Sequence, residues 1–156
     1  MIKYIIKEIS ESDVYPCAEL IVNTYKHENI WKDCWDVERI ANCLYAQFDN
    51  PKYKENCFVA KLENGEIVGI GGIGESLMST NSFELYYGTV KPQYQKMDIG
   101  TALILKRIEY AKSFGEHGCV LVCSRFPHIF KKLGFKHIIK GDSNFEEDGG
   151  FCYLKF

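Results

Sequence analysis

The stretch from Thr89 to Leu103, TVKPQYQKMDIGTAL, limits the choice of fold more than any other part of the chain. The run Phe83 to Val90 reads as a strand, and it leads into Pro92, which cannot donate to a ladder. A short loop follows, and a helix starts near Gly100. The opening turn of a helix carries backbone N–H groups without intrahelical partners, and its dipole favours negative charge there. Strand, loop and helix N-terminus in this order make a ready phosphate site. Gly100 would let the backbone come close to a ligand. On these residues alone, an ordinary strand-to-helix turn is an equal reading.

The flanking sequence supplies the remaining elements. Residues 2–9 carry Tyr4, Ile5 and Ile6 in weak alternation and predict a first strand. Ser10 or Ser12 offers an N-cap, with Asp13 three residues after Ser10. Val14, Cys17, Ala18, Ile21 and Tyr25 then recur at helical spacing, and Pro16 is tolerated because it falls in the first turn. A loop through His27 and Asn29 leads to a second helix with the apolar face Val37, Ile40, Ala41, Leu44 and Phe48, ended by Asp49-Asn50-Pro51. Cys57–Leu62 and Glu66–Ile73 read as strands joined by Asn64-Gly65, a strong hairpin signal. A polar turn, Ser79 to Ser82, precedes the strand Phe83–Val90. The central helix runs from about Ile99 to Phe114 and stops at Gly115. Only Lys106, Glu109 and Ser113 form a polar arc on it, which predicts cover on more than one side. Cys119 to Cys123 is a continuous apolar run, as in a buried strand beside a parallel neighbour. A short helix from Pro127 to Leu133, stopped by Gly134, and strands near 137–140 and 151–156 complete the chain. The order β-α-α-β-β-β-α-β-α-β-β, without repeats or linkers, predicts one α/β domain over residues 1–156.

Composition removes several functional classes. The chain of 156 residues is long enough to bury a real core, and its 46% apolar and 26% charged residues are ordinary globular values. A net charge of −2 without a basic cluster gives no footprint for nucleic acid. The start, Met1 to Lys7, is too short and too charged for a signal peptide, and no apolar run approaches the roughly 20 residues of a membrane span. Seven scattered cysteines (Cys17, Cys34, Cys43, Cys57, Cys119, Cys123 and Cys152) read as reduced thiols of a cytoplasmic protein. Cys119 and Cys123 lack the spacing and the paired histidines of a zinc site, so no metal is expected.

Gly69-Ile70-Gly71-Gly72-Ile73-Gly74 matches G-x-G-x-x-G, the fingerprint of a dinucleotide site. That fingerprint works only inside a βαβ unit. Eight residues, Glu75 to Ser82, separate it from the next strand, too few for a parallel crossover. A nicotinamide enzyme therefore ranks last. The glycines are expected to be positions where a neighbour packs closely on a strand.

The stretch around Pro92 resembles the acetyl-CoA loop of the GNAT superfamily of N-acetyltransferases, V-x-P-x-[Y/F]-[Q/R]-x-x-G-x-G/A followed by a helix. Val90, Pro92, Tyr94, Gln95 and Gly100 match, while Asp98 stands where the family usually has glycine. Ile129 to Phe135, IFKKLGF, resembles the family's F-[YF]-x-K-x-G-F helix end after the fifth strand. The resemblance covers most of the chain. It implies a central mixed, twisted sheet of six to seven strands flanked by about four helices, with acetyl-CoA as cosubstrate. The cosubstrate would lie against Val90, Gln95, Lys96, Met97, Asp98, Ile99, Gly100, Thr101 and Lys131. The implied acceptor is a primary amine on a small molecule or peptide, and a homodimer is left open. Substrate choice would rest with the first two helices and the segment from Asn50 to Asn56.

Strand alternation places Phe83, Leu85, Tyr87 and Thr89 on one face, and Glu84, Tyr86, Gly88 and Val90 on the other. Glu84 lies six residues before Val90. In the histone-acetyltransferase branch of the superfamily a glutamate at this offset is the general base, a role that amine acetylation needs because an ammonium has no lone pair. An exposed glutamate near a strand start is the plainer reading. The tyrosine that donates a proton to the leaving thiolate in many members is Phe130 here, and Phe130 cannot donate. Cys123, Ser124, Tyr86 and His128 are substitutes that the sequence does not rank. Asp98 can adopt left-handed φ, and its side chain could cap the following helix at the expense of a phosphate. The two departures, Asp98 and Phe130, support a second hypothesis, a catalytically weakened CoA-binding module of the same fold.

Overall fold

The computed structural model describes residues 2–28, 36–49, 54–77, 80–115, 118–140 and 149–156. Asn29, Cys34, Ser79 and most of the 50–56 segment therefore lie outside the described residues. The elements in chain order are β1 (Tyr4–Glu8), α1 (Val14–His27), α2 (Val37–Asp49), β2 (Asn56–Leu62), β3 (Ile67–Glu75), β4 (Ser82–Val90), α3 (Ile99–Lys112), β5 (Cys119–Ser124), α4 (Pro127–Lys132), β6 (Lys136–Lys140) and β7 (Gly150–Lys155). This is the expected order.

Seven strands form one mixed sheet in the order β1-β2-β3-β4-β5-β7-β6. Every pairing is antiparallel except β4 with β5. The hairpin between β2 and β3 turns at Asn64-Gly65, where Gly65 takes φ +86° and Leu62 N–H donates to Glu66 O. Ser10 and Asp13 form the reciprocal capping box ahead of α1.

Alternation along β2 divides the core. Cys57 and Val59 face α1 and α2, packing with Val14, Ile21, Ile40 and Leu44. Phe58 and Ala60 face α3, packing with Leu103, Ile104 and Ile108. The eight residues from Ile67 to Gly74 of β3 are all buried, because helices cover both faces of that strand. The long glycine-rich strand pairs antiparallel with β4 over Gly69 to Glu75, so no βαβ unit surrounds its G-x-G-x-x-G pattern.

One expectation for α3 is not met. Its buried residues Ile99, Leu103, Ile104, Arg107, Ile108 and Ala111 form a single stripe, while Leu105 is 51% and Phe114 44% exposed. The helix is covered on one face, with Tyr110 and Phe114 packed edge to face at its border. β5 also alternates: Val120 and Val122 are buried and Cys123 is exposed.

Candidate active site

The sheet opens where its one parallel pair ends. β4 and β5 are in register only from Ser82–Cys119 to Leu85–Val122. Beyond that, β4 continues to Val90 along β3, while β5 continues to Ser124 along β7. Among the described residues nothing pairs with β4 on its β5 side from Tyr86 onward. A cleft thus starts at mid-sheet, with the loop to α3 at its end.

A β-bulge sits at the mouth of this cleft. The register between β3 and β4 shifts between Ile70 and Gly72, so that Tyr87 and Gly88 together oppose Gly71, and Tyr87 takes φ +50°. This overturns the expected alternation. Glu84 and Tyr86 do share the face away from Phe83 and Leu85, but Tyr87 joins that face too and its ring meets that of Tyr86 at 5.1 Å. Val90 moves to the α3 face, with Phe83 and Leu85. One inserted residue inverts every position after it.

Arg107, which the sequence reading passed over, fills the space beneath the bulge. It is 2% exposed, and no carboxylate among the described residues pairs with it. Its Nε donates to Leu103 O at 3.0 Å, and its Nη1 to Gly72 O at 3.1 Å and Tyr86 O at 3.4 Å. Burial brings its pKa down to about 10, and holding such a charge out of water costs several kcal/mol. A signal was present in the sequence. Arg107 lies between Leu103 and Ala111 at four-residue spacing, in the middle of the apolar stripe.

The loop after β4 is tethered by side chains. Glu66 accepts from Lys91 Nζ at 2.7 Å and from Tyr94 Oη at 3.2 Å. The hydrogen bond from Lys91 holds the Glu66 carboxyl below its usual range. Lys96 and Asp98 both take left-handed φ, at +61° and +62°. Asp98 supplies its carbonyl to Ala102 N–H at 2.9 Å, but its side chain makes no capping bond to α3. Of the two possibilities for this side chain the cap is not the one taken, and the carboxylate leaves the N–H groups of the first turn of this 14-residue helix to other partners. That arrangement fits an anionic group at the helix start. Ile99 is buried in the core and anchors the loop, whereas Lys96, Met97 and Asp98 are exposed and Gly100 and Thr101 half-buried. Gly100 faces Val90, whose Cγ2 would lie 3.7 Å from an added Cβ, an ordinary contact.

The C-terminal end of α1 touches both sides of the opening. Gln95 Nε2 donates to Val90 O at 3.2 Å and to Glu28 Oε1 at 3.0 Å, and Arg125 Nη1 donates to Glu28 O at 3.3 Å. Lys131 lies exposed on α4 and is not brought to these residues by any described contact.

Glu84 is half-buried and lies two residues before the opening. Its Oε1 accepts from Ser76 Oγ at 2.6 Å. Phe130 is buried against Phe135 in the core. Among the substitute donors, Tyr86 already donates to Ile73 O at 3.1 Å, and burial pushes its phenol far up. Ser124 Oγ accepts from Phe126 N–H at 2.9 Å, while Cys123 and His128 are exposed.

The family model for the GNAT acetyltransferase domain matches residues 53–137, more than half of the chain. The chain belongs to the GNAT acetyltransferase family. Solved structures of GNAT proteins share its fold at low identity. A Staphylococcus aureus Mu50 acetyltransferase is 23% identical with a TM-score of 0.75, covering 98% of this chain and 99% of its own. A Salmonella typhimurium protein whose structure holds acetyl-CoA is 20% identical with a TM-score of 0.79, covering 98% and 94%. The PaiA N-acetyltransferase of Thermoplasma acidophilum, in complex with coenzyme A, is 17% identical with a TM-score of 0.68, covering 99% of each chain. No curated protein sequence is significantly similar to the chain. As a GNAT protein its sheet of seven strands and four helices is the expected one. Among the described residues no helix is long and apolar enough to cross a membrane.

Proposed function

We propose that the protein transfers the acetyl group of acetyl-CoA to a primary amine of a small molecule or peptide. The observation that carries this reading is the cleft between β4 and β5 ending at a helix start whose N–H groups are taken by no side chain among the described residues. In this reading the pyrophosphate lies on residues 95–101, against the backbone of Gln95, Lys96, Met97, Asp98, Ile99, Gly100 and Thr101. The pantetheine arm enters beside Val90, and Lys131, exposed on α4, is the further cation that the family resemblance offers to the cofactor. Acetyl-CoA supplies an activated thioester. The chain holds it next to the amine, so that proximity accounts for much of the acceleration. Val90 N–H polarises the thioester carbonyl. Glu84, oriented by Ser76, takes a proton from the ammonium directly or through water. The new bond is nitrogen to carbonyl carbon, the broken one is carbon to sulfur, and the departing thiolate takes a proton from solvent. A free thiol pKa of about 8.5 makes such a donor dispensable, which suits a buried Phe130.

Release of free CoA from acetyl-CoA, screened against amino acids, polyamines, aminoglycosides and peptides, tests the proposal. Amine-dependent release with one class of acceptor is the expected result. CoA binding without release across the whole panel would instead favour a weakened CoA-binding module, the reading that Asp98 and the buried Phe130 support.

A further inference from the structure

We infer that Arg107 is a positioning residue: its guanidinium replaces the strand pairing lost at the β4 bulge and so fixes the backbone that forms one wall of the cleft. Three observations lead there. A leucine at 107 would continue the stripe of Leu103, Ile104, Ile108 and Ala111, so packing alone does not ask for a buried charge. The two carbonyls that Nη1 reaches, Gly72 O and Tyr86 O, belong to the residue pair at which the register shifts. Room for the group exists because Gly71 carries no side chain. A Cβ on Gly71 would lie 2.7 Å from the guanidinium carbon and 2.8 Å from Nε.

Side chains at the bulge make other contacts, Tyr86 Oη with Ile73 O, Tyr87 with Cys43 and the two rings with each other, but none of these engages the carbonyls of Gly72 and Tyr86. Tyr87 holds a left-handed φ that a tyrosine rarely adopts, and from Tyr86 onward β4 has no described neighbour on its β5 side. A strand supported on one side would relax to regular pairing with β3. That would return Tyr87 to the α3 face and turn Thr89 and Val90 over. Arg107 blocks this by occupying the Tyr86 carbonyl from α3. The helix whose start meets the loop thereby also sets the strand that precedes it. The side chain needs no contact with substrate for this role.

Amide hydrogen exchange, thermal unfolding and CoA calorimetry on the wild type, Arg107→Leu and Arg107→Lys test the inference. Arg107→Leu is expected to melt at or above the wild-type temperature, since it removes a buried charge. Those amides of Tyr86 to Val90 that are protected in the wild type should exchange at least tenfold faster, while β2 keeps its protection. Arg107→Lys should restore part of the difference, because an ammonium can still donate to the two carbonyls. The catalytic part rests on the acetyl-transfer reading: with an acceptor in hand, kcat of Arg107→Leu should fall tenfold or more with little change in the KM of the amine. Unchanged exchange at Tyr86–Val90 in a folded Arg107→Leu would overturn the inference. So would faster exchange throughout the sheet in the lysine variant, which decides the matter if the leucine variant does not fold. A wild type without turnover, but with the expected exchange pattern, would sink the acetyl-transfer reading and leave the role of Arg107 standing.

Discussion

Ser76 holds one oxygen of Glu84, which orients the carboxylate without neutralising it. If Glu84 is the base, Glu84→Gln should cut turnover by roughly 10²-fold while CoA binding stays intact. The deficit should shrink at high pH, where more of the amine is already free. Wild-type turnover in the variant at neutral pH would remove Glu84 from the mechanism. Asp98 poses the opposite problem, a charge where an anion should bind. Its left-handed φ was foreseeable because aspartate tolerates that region better than most residues. Whether its side chain caps the helix was open in the sequence, since a cap depends on a rotamer that the sequence does not specify. Asp98→Gly should tighten CoA binding about tenfold, equivalent to roughly 1.4 kcal/mol. Without a capping bond to lose, its melting temperature should stay close to that of the wild type. Calorimetry at low and high salt measures both, and unchanged or weaker binding would mean that Asp98 stands clear of the pyrophosphate.

Among elements, β3 and β4 show what a strand pattern can and cannot reveal. The hairpin at Asn64-Gly65 was legible because its turn chemistry is local. The glycines of β3 were legible as packing positions, and their neighbours are now named: an added Cβ on Gly72 would fall 2.2 Å from the Tyr86 ring. Gly72→Ala should therefore lower stability by about 1–3 kcal/mol through overpacking. Thermal unfolding and CoA titration together check this, and lost CoA binding at an unchanged melting temperature would contradict it. The bulge at Tyr87 was not legible. It is a relation between two strands, and nothing in the sequence of β4 alone marks the inserted residue. The faces of Thr89 and Val90 were misread for the same reason, since both follow from the bulge. Arg107 was legible in principle from its place in an apolar stripe, but the carbonyls that justify it come from β3 and β4.

At the scale of the whole molecule, few ion pairs among the described residues tie the helices to the sheet. The most enclosed is Asp13 with Lys61, at 2.5 Å, joining the start of α1 to β2. Burial opposes ionisation of Asp13, yet hydrogen bonds from Lys61 and Ser10 outweigh it and leave the carboxyl below its ordinary value of 3.8. A folded-state value below the unfolded one adds stability that is complete above the unfolded pKa and disappears as pH falls through the folded one. Asp13→Asn should thus cost about 1–3 kcal/mol at neutral pH, and denaturant titrations of the two proteins should converge in acid. A constant difference down to the lowest pH at which both fold would assign the loss to packing. The short parallel seam between β4 and β5 has a consequence in time as well as in space. Strands β1 to β4 apart from the first crossover pair with their neighbours in sequence, whereas the seam joins Ser82 to Cys119 across the whole of α3. Long-range pairings of this kind are slow to form because chain entropy is lost before contacts repay it. In a growing chain the first four strands are synthesised before the fifth. The cleft has only one wall until the C-terminal third of the chain has folded, so a ligand held between its walls stabilises the finished protein by mass action and none of its precursors.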